Sequence, residues 1–180
     1  MRTALAAADG TDGAKKGLGE RYAITINEVL ESPSPNRIAG RYGGRLAGGI
    51  RMSRPEIILQ TFEQVATVCG DPREAVYARL FAARPHLEAL FVMDTDGGVR
   101  GSMLQQSLEC LIDFAGARIS SPGLLASERQ RHEGYGVCDE TFVLFFEVIR
   151  DTFREALAAS WTDAMETAWD SLLEDLRAVR

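Results

Sequence analysis

From Ser53 onward the apolar residues recur at the three- and four-residue intervals of a helix, and glycine or proline closes each run. That pattern leaves little room for anything but packed helices. Ser53 is placed to cap a first helix with Pro55 in its opening turn, and Ile58, Phe62, Val65 and Cys69 keep one face until Gly70 stops it. Asp71 and Pro72 restart the chain, and Val76, Tyr77, Leu80 and Phe81 form the next apolar face. Pro85 ends or sharply redirects that helix, and Leu87, Leu90 and Phe91 continue as a short third piece. Residues 94–98, Asp-Thr-Asp-Gly-Gly, read as a turn. Their aspartates lack the spaced glutamate of a calcium-binding loop, which argues against calcium.

Residues 100–115 are again amphipathic, with Leu104, Leu108, Leu111 and Ile112 on one face and Gln105, Gln106 and Glu109 away from it. Residues 116–123 form a connection whose Ser120-Ser121-Pro122 can start a helix, and the segment 124–132 that follows is short and unusually polar. Asp139 can cap a helix with a wide face of Phe142, Phe145, Phe146, Ile149 and Phe153. Thr162 can cap the last, which carries Met165, Trp169, Leu172, Leu173 and Leu176. Six to eight helices, short links and no credible strand pair predict an all-α domain over residues 53–180.

Residues 1–52 differ in kind. They hold nine of the seventeen glycines and eight Lys or Arg against five Asp or Glu, with a Ser-Pro-Ser-Pro run at 32–35. This composition raises the entropic cost of ordering and blocks a long helix, so a poorly ordered, mildly basic N-terminal arm is expected. Tyr22, Ile24 and Ile26 alternate like a short strand, while residues 26–30 could equally form a helical turn. The whole chain carries a formal charge of −6, and no basic stripe follows the helices, which argues against nucleic acid. No run is long and apolar enough for a membrane span or a signal peptide. Cys69, Cys110 and Cys138 are odd in number and contain no CxxC pair, which favours reduced thiols in the cytoplasm over disulfides or a zinc site.

Histidine is the scarcest chemistry-bearing residue. There are two, His86 and His132, and His132 lies in Arg129-Gln-Arg-His132-Glu-Gly-Tyr-Gly-Val137, just ahead of the phenylalanine-rich helix. Taken alone it reads as an exposed residue at a helix C-terminus, favoured there by the helix dipole. Its company says more. Val-Tyr77-Ala-Arg-Leu-Phe, then Arg-Pro85-His-Leu-Glu-Ala-Leu-Phe91, then the His132 stretch, then Ala-Trp169 in the final helix stand in one register. In that register the chain resembles a single-domain bacterial globin, closest in pattern to the haem domain of flavohaemoglobins, over roughly residues 53–180.

The resemblance implies a globin fold around haem b, iron protoporphyrin IX, with His132 as the proximal iron ligand. It places Phe91 against the porphyrin, the Tyr77 hydroxyl on the distal side, and Leu104 over the iron with Arg100 one turn earlier at the distal gate. Val137, Phe142 and Phe145 would line the proximal and inner walls, with Trp169 in the core and His86 on the surface. Three departures stand out. Glu128, one turn before His132, occupies a position usually apolar in relatives. Phe142 replaces a tyrosine that in flavohaemoglobins joins a glutamate in bonding to the proximal histidine, and that glutamate is missing, so a stronger electron push on iron is not implied. No flavin- or nicotinamide-binding reductase domain follows the helices.

The expected function is reversible binding of dioxygen or another diatomic gas for storage, delivery or sensing. Nitric oxide dioxygenation with an external reductase, and a haem-free globin-like interaction module, are the alternatives. No other catalytic constellation is visible: two histidines without a nucleophile-elbow glycine pattern do not suggest a serine triad. The adjacent Glu174 and Asp175 read as a solvated face.

Overall fold

A computed structural model describes residues 52–116, 118 and 120–179. The expected N-terminal arm, with its strand or helical turn near residues 22–30, lies outside the described residues. Six α-helices and two 3₁₀ segments follow in order: α1 (Arg54–Cys69), α2 (Arg73–Ala83), a 3₁₀ segment (Pro85–Phe91), α3 (Gly98–Ala115), α4 (Ser121–Gly134), α5 (Asp139–Leu157), a 3₁₀ turn (Ala158–Ser160) and α6 (Asp163–Ala178). No strand occurs among the described residues. The all-α expectation holds, and none of these helices is long and apolar enough to cross a membrane.

Local chemistry explains the boundaries. At the start of α1, the Ser53 amide and hydroxyl donate to Glu56 Oε2 at 2.6 and 2.8 Å, and the amide bond holds the Glu56 carboxyl below its ordinary range. Pro85 cannot continue α2, and the chain tightens into the 3₁₀ segment whose Leu87 is buried. Gly97 has φ 72°, a left-handed turn, immediately before α3. Thr162 accepts the Met165 amide at 3.2 Å and caps α6. The polar segment expected at 124–132 is part of a longer regular helix, α4, that buries only Ser121 and Leu125.

The main core lies where α1, α5 and α6 meet. Phe62, Phe153 and Trp169 form a three-ring cluster with centroids 5.4 to 5.8 Å apart. Edge-to-face and tilted contacts of this kind add to burial because ring edges meet ring faces. Trp169 is fully buried, as its place in the final helix suggests. Outside the cluster Asp175, on the part-exposed face of α6, is engaged by two arginines. Its carboxylate bonds Arg54 Nη1 at 2.6 Å and also holds Arg118, so it ties the start of α1 and the connection after α3 to α6. Burial would raise the Asp175 carboxyl, but these two guanidinium groups outweigh it and hold it below the usual value.

The 94–98 turn is more than a loop. Asp94 is buried and its carboxylate accepts the Val99 amide at 2.8 Å, the Arg100 amide at 3.1 Å and Arg100 Nε at 2.9 Å. It satisfies the open amides at the start of α3 from a position four residues upstream of that helix. Burial pushes its carboxyl up, and the bonds from Val99 and Arg100 reverse that and leave it below 3.8. On the neighbouring turn, the Arg73 side chain of α2 lies over Gly101: a Cβ there would stand 3.2 Å from Arg73 Nη1.

Two measurements test these assignments. Trp169→Ala should lower the unfolding free energy by about 3–5 kcal/mol in urea titration, the range for truncating a buried large aromatic. Asp94→Asn should destabilise the fold at neutral pH. Because the folded carboxyl titrates below 3.8, the aspartate's advantage is complete above that value and is lost as pH falls through the lower folded value. The gap between the two proteins should therefore begin to close below about pH 4 and vanish only once pH has fallen under the lower folded value of Asp94. A gap unchanged by acid would show that the charge of Asp94 is not what matters.

Candidate functional site: an aromatic slot ending on His132

Between the α2, 3₁₀ and α3 side and the α4 and α5 side lies a cavity of about 450 Å³. That volume falls within the range of small-molecule and cofactor pockets. α2 contributes Tyr77 and Leu80, the 3₁₀ segment Leu87, Leu90 and Phe91, and α3 Val99, Met103, Gln106, Ser107 and Cys110. Across from them stand Glu128, Arg131 and His132 of α4, then Tyr135 and Val137, then Phe142, Phe145 and Phe146 of α5.

The aromatic side chains form a connected wall. Phe91 meets Tyr77 edge to face at 5.5 Å, Tyr77 meets Phe145 at 5.7 Å, and Phe145 meets Phe146 at 6.1 Å. Phe146 then meets Phe142 at 5.6 Å, and Phe142 meets the imidazole of His132 at 5.2 Å. The wall thus runs from Tyr77 to His132 without a break. At the slot's mouth Leu90, Val99 and Tyr135 remain more than half exposed, at 51, 55 and 69%.

His132 is held in a defined orientation. Its Nδ1 lies 2.8 Å from the backbone carbonyl of Glu128 one turn earlier, a geometry in which Nδ1–H donates and Nε2 is the unprotonated, electron-pair-bearing nitrogen. Nε2 has no hydrogen-bond partner among the described residues. Tyr77 is almost fully buried and donates its hydroxyl proton to the Arg100 carbonyl at 3.0 Å. Burial is the main reason its phenol ionises far above the ordinary value; Asp94 adds to that, and Arg100 and Arg73 oppose it. The group is a neutral donor at any physiological pH.

Of the residues singled out in the sequence, Tyr77, Phe91, Val137, Phe142, Phe145 and His132 lie together on the cavity. Leu104 and Arg100 do not line it. Leu104 is fully buried in the main core, and the cavity face of α3 is displaced by one residue, carried by Val99 and Met103. One residue on a helix is a rotation of about 100°, which is enough to exchange faces. Arg100 is turned to Asp94 and bonds its carboxylate through Nε. His86 is exposed and away from the cavity.

Four of the cavity residues that were not anticipated as such are Met103, Gln106, Cys110 and Arg131. Met103 sits beside the leucine stripe, Gln106 was expected to face away, and Cys110 read as a small core residue. The Cys110 thiol is pushed up to about 12, first by burial and then by Asp113, so it is unreactive at neutral pH. Arg131 is the fourth; it is ion-paired with the Glu128 carboxylate at 3.2 Å. The signal that could have found these four is the second apolar stripe of α3 and the i, i+3 spacing of Glu128 and Arg131.

Among known proteins, no curated protein and no solved structure matches the chain. A family model does: that of the globins matches residues 74–179, from the first turn of α2 to the end of α6. The match covers more than half of the chain and contains every helix that lines the slot. The chain belongs to the globin family.

Proposed function

We propose that this chain is a haem-binding globin that reversibly binds dioxygen or another diatomic gas for storage, delivery or sensing. The observation that carries the reading is His132: one ring nitrogen is fixed on the Glu128 carbonyl, and the other is left available beside a largely apolar cavity. A second-shell bond of this kind sets the tautomer a metal ligand needs. Among the described residues no three His, Cys, Asp or Glu come together to hold a metal ion. A metal at His132 would therefore arrive with most of its ligands already in place, as iron does in protoporphyrin IX, haem b. When bound, that group supplies an iron able to coordinate a diatomic gas.

The chain's own residues fit this role. Phe91, Phe142 and Phe145 offer flat apolar surface to a macrocycle and exclude water from it, while Val137 fills the corner after His132. Tyr77 offers the buried proton. Its present acceptor, the Arg100 carbonyl, is a neutral group, and a gas ligand carrying partial negative charge in the cavity would be a stronger acceptor. The hydroxyl proton is free to turn about its C–O bond, so Tyr77 could offer it to such a ligand. Cytoplasmic residence belongs to the same proposal and agrees with the three free cysteines. One observation favours a second reading, a haem-free interaction module: the Glu128 carboxylate lines the cavity, where a charge disfavours an apolar occupant.

Absorption spectra of the protein supplied with haem, in ferric, ferrous and ferrous-CO forms, separate the two. The gas-binding reading expects stoichiometric uptake and a histidine-ligated ferrous-CO spectrum that is lost or altered in His132→Ala. Failure of the wild type to take up haem would leave the haem-free module. In the loaded protein, Tyr77→Phe should speed dioxygen dissociation roughly tenfold, about 1.4 kcal/mol for one hydrogen bond to a charged acceptor, by stopped-flow. An unchanged rate would remove Tyr77 from ligand stabilisation.

A further inference from the structure

The slot contains a charge that the proposed role leaves unexplained. Glu128 lines the cavity with a side chain only 16% exposed, on the same face of α4 as His132. Its Oε2 lies 3.8 Å from His132 Nδ1, and its Oε1 is ion-paired with Arg131 Nη1 at 3.2 Å. Arg131 is two-thirds exposed, at 66%. The two charges are therefore unequal in effect: the carboxylate acts from a sheltered position, and water screens the guanidinium.

Glu128 also offers His132 two acceptors. The backbone carbonyl takes the Nδ1 hydrogen at 2.8 Å, and the carboxylate stands beside the same nitrogen. The first is independent of the side chain at position 128. The second is not.

We propose that Glu128 is a positioning residue that makes His132 a more strongly donating ligand, and that Arg131 sets how much of its charge His132 feels. This rests on the reading of His132 as the iron ligand. Phe142 packs edge-on against the imidazole and offers it no hydrogen-bonding group, so the charge that His132 feels comes from the helix that carries it. The physical basis is a charge difference: ferric iron carries one more positive charge than ferrous iron. A carboxylate coupled to its ligand stabilises the ferric state more, and so lowers the potential at which iron gains one electron.

The test is a spectroelectrochemical titration of the full chain loaded with iron protoporphyrin IX, an electrode supplying the electron. It compares wild type with Glu128→Gln and Arg131→Gln. Removing the carboxylate's charge should raise the midpoint potential, and removing the guanidinium should lower it. The shift for Glu128→Gln should be about tenfold in the ferric-to-ferrous ratio, which is 59 mV for one electron, and that for the water-screened Arg131→Gln should be smaller and of opposite sign. Resonance Raman of the ferrous protein should show a weaker iron–histidine stretch in Glu128→Gln and an equal or stronger one in Arg131→Gln.

The opposite signs matter because a merely structural role for either residue would not produce them. Both substitutions keep the Glu128 carbonyl bond to Nδ1, so loss of ligand orientation cannot mimic the result. Potentials that stay within error of wild type, or that move in the same direction, overturn the assignment while leaving the haem reading intact. A wild-type chain that takes up no haem overturns both.

Discussion

Tyr77 is the side chain on which the slot depends. From α2 its ring touches Phe81 on its own helix, Phe91 of the 3₁₀ segment and Phe145 of α5, and its hydroxyl reaches the Arg100 carbonyl of α3. Four elements therefore take their relative positions from one residue that is both large and polar at its tip. Each contact is modest, since a ring pair or a single hydrogen bond contributes about 1 kcal/mol. Together they make collapse of the slot costly, because α3, α5 and the 3₁₀ segment are each tied to α2 through this one side chain. A leucine at this position could fill the space but could not hold α3 at its backbone.

The second constraint is electrostatic, and it acts at the edges of the slot rather than inside it. Asp94 secures the first turn of α3 and takes Arg100 with it. Asp175 secures α6 to the start of α1 and the connection after α3. These carboxylates hold the frame, and the slot between the helices is lined by aliphatic and aromatic side chains with a phenol, an imidazole and the Glu128–Arg131 pair among them. Membership of the globin family supplies the frame's precedent. What this particular slot does is decided by its own residues, because fold and function are separable.

Helix order, the first and last caps, the Pro85 break and the aromatic and histidine residues of the slot from Tyr77 to Phe145 were legible in the sequence. These rest on local chemistry: a cap needs residues three apart, and proline acts on its own backbone. The register of α3 was not legible, for a physical reason. The helix is apolar on two faces, Leu104, Leu108 and Leu111 toward the main core and Val99, Met103 and Cys110 toward the slot. Periodicity reports that a helix is buried, and a two-sided helix gives it no preferred side. The roles of Asp94, Glu128 and Asp175 were hidden differently. A charged residue on a helix reads as solvated until its partner is known, and Arg54 is 121 residues from Asp175. Glu128 could be read only as a departure, because whether it points at solvent or into a slot depends on how α4 rolls against α5.

The three-ring cluster of Phe62, Phe153 and Trp169 also has a consequence for how the protein comes into being. One ring comes from α1, the first described helix, and another from α6, the last. During synthesis the walls of the slot, from α2 through α5, have all emerged before α6 can close the core behind them. The growing chain therefore holds the apolar stripes of α1 and α5 without their third partner until translation reaches Trp169. Over that interval the slot can form only as a loose, unbacked cleft. Its final shape is acquired last, when α6 docks, and not in the order in which its walls are made.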